Sequence, residues 1–127
     1  MKLGNLERAK SLLVEMAEVK TNFKTARKML KVFKWIDEKE NLPFFLEQKN
    51  EIVMKYATKD ENGNTLFNDK GELKFTEKNL KEAEKEYTEL FTTEVEIPSG
   101  LKFTEQELSS FNFTLEDIAI LEEFIED

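Results

Sequence analysis

The chain contains neither cysteine nor histidine. The first absence excludes disulfides, a thiolate nucleophile and cysteine metal ligation. The second removes the usual general base and the commonest metal ligand. Glycine occurs four times and proline twice, with no glycines spaced to cradle a phosphate. No apolar run approaches the ~20 residues of a membrane span. The start, Met1-Lys2-Leu3-Gly4-Asn5-Leu6, lacks the long apolar stretch and cleavage site of a signal peptide. These absences point to a non-enzymatic protein with no catalytic residues, no metal and no cofactor, placed by default in the cytoplasm.

What remains is enough to fold. The 127 residues match one ordinary domain, and 37 of them are Leu, Ile, Val or Phe, above the disordered range. The net charge is −8 and unevenly spread. Residues 1–59 carry 13 basic and 8 acidic side chains, whereas residues 60–127 carry 6 and 19. Such segregation suggests either an internal electrostatic match or two faces meeting different partners. The acid excess disfavours general nucleic-acid binding, which needs local cations against phosphate.

Periodicity predicts a first helix over about 6–18, with Leu6, Leu13, Val14 and Ala17 roughly on one face. Thr21 and Asn22 offer a cap for a second, about 22–40. Phe23, Ala26, Met29, Leu30, Phe33 and Ile36 share one side of it. Lys20, Lys24, Arg27, Lys28, Lys31 and Lys34 crowd the other within an arc of roughly 120°. Asn41 before Leu42-Pro43 can cap a third helix over about 42–58, with proline tolerated in its first turn. The alternative is one long helix over 22–58, kinked at Pro43.

Asp60–Phe67 and Asn68–Phe75 echo one another, each a polar turn ending in glycine before a short apolar extension. Asn68-Asp69-Lys70-Gly71 suits a type I turn followed by a left-handed glycine, which predicts a hairpin over about 64–75. An EF-hand match fails, because glycine falls at 63 and no glutamate stands at 71. Leu73-Lys-Phe-Thr-Glu77 recurs as Leu101-Lys-Phe-Thr-Glu105, with Phe113-Thr114 a looser copy. In each, threonine can cap a helix while the preceding phenylalanine staples onto Leu80, Leu108 or Ile118. Helices are thus expected at about 77–91, 105–110 and 115–125. Thr93–Ile97 alternates like a strand, and Val95, Ile97 and Phe103 are available to extend a sheet edge. The expected fold is mostly α (α+β): an antiparallel helical core in one domain, residues 1–127, with a small hairpin and a short extended C-terminal segment.

Two segments are candidates for partner binding. One is the basic helix, through Lys24, Arg27, Lys28, Lys31, Lys34 and Trp35, whose ring falls on the basic arc where it can anchor an interface. The other is the acidic, apolar C-terminal end, through Leu121, Glu122, Phe124 and Ile125, which suits a basic-rimmed groove. The competing reading of both is internal. In it the lysines pair with the acidic half, Trp35 packs under another element, and the last helix docks on its own domain.

The stretch Asn22-Phe-Lys-Thr-Ala-Arg-Lys-Met-Leu30, with Lys55-Tyr-Ala-Thr-Lys-Asp-Glu-Asn-Gly-Asn64, Thr93-Glu-Val-Glu-Ile97 and the acidic end, resembles a family of small proteins of unknown function. That family is encoded by phages of low-GC Gram-positive bacteria. Pro43 departs from the family's smoother helix. The resemblance implies a phage origin, mostly helical structure, and an accessory or virion role in the host cell. It supplies no catalytic residues. The partners so implied are a host or phage protein, or further copies of the chain in an assembly.

Overall fold

The computed structural model describes residues 1–126. It is mostly helical. The helices are α1 (Asn5–Met16), α2 (Phe23–Ile36), α3 (Leu42–Tyr56), α4 (Glu77–Phe91), α5 (Glu105–Leu108) and α6 (Leu115–Leu121). Short 3-10 turns cover Ser99–Leu101 and Glu122–Phe124.

Local chemistry explains where most helices start. Asn22 and Thr76 accept from the backbone N–H three residues on, at 2.8 and 3.1 Å, and so satisfy one orphan donor each. Thr104 with Glu107 and Thr114 with Asp117 close reciprocal capping boxes at α5 and α6. The threonine starts thus stand where the sequence places them.

The segment after Ile36 breaks the helix and excludes the single kinked helix. Asn41 does not cap α3 as expected. Its buried side-chain amide instead donates to the Trp35 carbonyl at 2.6 Å, joining the Glu38 N–H, which reaches the same oxygen at 3.2 Å, at the end of α2. Lys10 binds Asp37 at 2.7 Å, tying that turn to α1. Pro43 then occupies the first turn of α3, where its missing N–H costs nothing.

The core joins both ends of the chain. Leu6 and Leu13 of α1, Val32 and Ile36 of α2, Phe45 of α3, and Phe103 and Phe124 are fully enclosed. Each large side chain so buried contributes about 1.5–3 kcal/mol. On α1 the buried set is Leu6, Ala9, Leu12, Leu13 and Met16, while Val14 and Ala17 face solvent, a rotation away from the expected face. Phe45 meets Tyr87 and Phe91 of α4, with centroids 6.1 and 6.4 Å apart. That aromatic cluster locks α3 to α4, the most extensive helix pair.

The expected hairpin at 64–75 forms no continuous strands. Gly63 and Gly71 adopt φ of 81° and 78°, the left-handed conformation that each turn requires. Asp60 and Asn68 each accept two downstream backbone N–H groups within their turns. These two turns consume most of the residues, leaving only isolated bridges, Lys59 to Thr65 and Phe67 to Leu73. Residues 93–95 pair with the chain start: Leu3 N–H donates to Thr93 O, and Val95 N–H to Met1 O, both at 2.7 Å.

The last helix ends at Leu121, earlier than the expected 125. Glu122, Glu123 and Glu126 would oppose the dipole of a longer helix. The chain instead turns so that Phe103 N–H donates to Phe124 O and Glu126 N–H to Phe103 O, at 2.6 and 2.8 Å. α5 likewise ends at Leu108, two residues short of expectation.

Candidate functional site

α2 organises the candidate surfaces because its core face differs from the one its apolar residues suggest. The buried residues are Thr25, Met29, Val32, Trp35 and Ile36. Phe23 is 79% exposed and Leu30 53%, with Ala26 also exposed and Phe33 half-buried. Only Met29 and Ile36 of the expected apolar face are in the core. The outer face therefore carries two adjacent stripes: Phe23, Ala26, Leu30 and Phe33 beside Lys34, Arg27, Lys31 and Lys24. Val19, Ala17 and Phe33 help to line a shallow cleft of about 490 Å³ against the first of these.

The proposed cation set divides. Lys24, Arg27, Lys31 and Lys34 are exposed and form no ion pair among the described residues. Lys28 turns inward instead. Its Nζ donates to Glu107 Oε1 at 2.7 Å and to the Lys102 carbonyl at 2.9 Å, and lies 5.8 Å from the Phe103 ring centroid. Glu107 is only 7% exposed. Burial pushes its carboxyl up, but hydrogen bonds from Lys28 and Thr104 outweigh this and hold it below the usual glutamate range. The same Oε1 accepts from Thr104 N–H at 2.9 Å. Lys28 thus belongs to an internal lock between α2 and α5 and is withdrawn from any partner.

Trp35 is a second correction. The ring is 8% exposed and meets Phe124 edge-on, at 5.9 Å and 78°. Two residues proposed for partner contact are therefore brought together, but inside the core. Large apolar area favours burial over a solvent-facing position among lysines. Leu121 is buried as well, Ile125 is half-buried, and Glu122 is exposed.

The C-terminal end nevertheless forms a surface feature that the sequence does not announce. Leu108, Phe113, Ile118, Leu121 and Ile125 line a groove of about 370 Å³. Glu105, Glu122 and Glu126 rim it. These carboxylates make no ion pair among the described residues. The signal for this groove lies in the threonine-capped repeats: Phe113 and Ile118, read as a staple, stand in its wall, and Ile118 is only partly covered.

Neither surface assembles a nucleophile, base and orienting group. Among the described residues, no three acidic side chains gather in metal-ligating geometry. No helix is long and apolar enough to cross a membrane. No family model, curated protein or solved structure matches the chain.

Proposed function

We propose that this chain is a non-enzymatic binding protein that engages another protein through the outer face of α2. One observation carries the reading: a well-capped helix leaves Phe23 and Leu30 in solvent beside four cations that form no ion pair among the described residues. A contiguous apolar patch flanked by charge is the usual form of an interaction site. The cations favour a partner with an acidic rim and would speed encounter with it. The resemblance to small phage-encoded proteins supports an accessory factor that occupies a host protein's surface.

Capture from host lysate on immobilised chain, compared with Arg27→Glu/Lys31→Glu, tests this. A defined host protein held by the wild type and lost by the variant is expected. Capture indifferent to the substitution, or no capture, would overturn the reading. A structural role in virion or tail assembly is the second reading, favoured by the acid-rimmed groove that accompanies the basic face on the same chain. Proteomics of purified virions separates the two.

A further inference from the structure

We propose that the chain binds a second copy of itself, the outer face of α2 entering the acid-rimmed groove of α5 and α6 on the other copy. The proposal rests on the reading of α2's outer face as an interaction surface, and it names one occupant for the groove.

Complementarity is the argument. α2 offers a protruding Phe23 and Leu30 edged by Lys24, Arg27 and Lys31. The groove offers an apolar floor edged by Glu105, Glu122 and Glu126. Apolar meets apolar at the centre and opposite charges meet at the rim, the arrangement of a specific interface. None of these charges is satisfied internally among the described residues.

The match cannot be made within one copy. Phe23 and the fully buried Val32 are nine residues apart, which at 3.6 residues per turn sets them on opposite sides of α2. The inner side already touches α5 through Lys28 and Glu107, and the C-terminal turn through Trp35 and Phe124. Turning Phe23 toward the chain's own groove would break both contacts. A second copy supplies the missing face. The two patches are different surfaces, so the contact is heterologous and either repeats along a chain of copies or closes in a ring.

Sedimentation and light scattering of the full chain, over roughly 1 μM to 1 mM, test the proposal. The wild type should associate at low salt, and added salt should weaken association by about tenfold or more as the rim charges are screened. Lys24→Glu/Arg27→Glu/Lys31→Glu should be monomeric, as should Glu122→Lys/Glu126→Lys. An equimolar mixture of wild type with either variant should give only short assemblies. The variant with reversed α2 keeps its groove, and the groove variant keeps its α2. These two mixed together carry one reversed pair, which matches in sign as Glu against Lys, and one wild-type pair; association should return.

Circular dichroism checks that each variant folds. Phe23→Ser, at a residue already 79% exposed, provides a fold-neutral disruption of the same contact. A wild type that stays monomeric throughout overturns self-association, as does an α2 variant that associates unchanged or a mixture that fails to recover. Association abolished by nuclease would assign the basic face to nucleic acid and equally overturn it. Host capture is measured separately on monomeric protein, so failure of self-association and failure of the host-partner reading give different results.

Discussion

Lys28 and Glu107, 79 residues apart in the chain, share a 2.7 Å ion pair that fastens the basic helix to the acidic half. Breaking a buried pair by removing one partner leaves the other charge uncompensated. Lys28→Met should therefore destabilise the protein by about 3 kcal/mol. Lys24→Met and Lys31→Met, at exposed positions with no ion pair among the described residues, should change stability by less than about 0.5 kcal/mol. Urea unfolding of the three variants checks the contrast; equal losses would refute the division of the basic face.

The same pair sets a pH dependence. Glu107 is held below its ordinary value of 4.5 in the folded chain. A carboxyl with a lowered folded pKa contributes stability above its unfolded value and loses it as pH falls through the folded value. The stability gap between wild type and Glu107→Gln should therefore be full at pH 7 and shrink below pH 4.5. Denaturant midpoints at neutral and acid pH measure it. A gap that widens on acidification would contradict the assignment.

Gly4 precedes α1 and accommodates the Phe91 ring, which a Cβ at that position would overlap. The Gly4 N–H also donates to the Phe91 carbonyl at 3.0 Å, so the backbone cannot simply retreat. Gly4→Ala should cost about 1–3 kcal/mol through overpacking. Gly100, with open space around its Cβ position, should accept alanine with little loss. Thermal melts of the two variants make the comparison.

Asn41 links the end of α2 to the start of α3 through the Trp35 carbonyl. Replacing it with leucine removes the shorter of two hydrogen bonds to that carbonyl, the Glu38 N–H remaining at 3.2 Å. The expected loss is about 0.5–1.5 kcal/mol, the net worth of one hydrogen bond. Hydrogen exchange should show faster opening at the C-terminal turn of α2, whereas an unchanged pattern would mean the bond has no such role.

Phe103 and Phe23 are the same residue type in opposite circumstances. Phe103→Ala, at a fully buried ring, should cost about 3–5 kcal/mol. Phe23→Ala should change stability by less than about 0.5 kcal/mol. Comparable losses in chemical denaturation at protein concentrations where the chain is monomeric would show that Phe23 is covered within a single copy.

Much of the framework was legible without coordinates because it depends on neighbours in the chain. Threonine caps, the left-handed glycine at 71, and proline in a first helical turn act over three or four residues. Their physics is complete within a short window, and the helix starts followed from it. Helix ends were less legible. The end of α2 depends on Asn41 reaching back to Trp35, and the end of α6 on Phe124 pairing with Phe103 from another part of the chain.

Helical character, most helix starts and the segregation of basic from acidic residues follow from composition and short-range pattern. Which side of α2 lies inside is set by long-range packing. The helix offers apolar residues over more than half its circumference, so periodicity alone leaves the core face open. The choice falls to whatever packs against it. Phe124 enclosed Trp35, Glu107 drew in Lys28, and Phe23 and Leu30 were left in solvent beside the remaining cations.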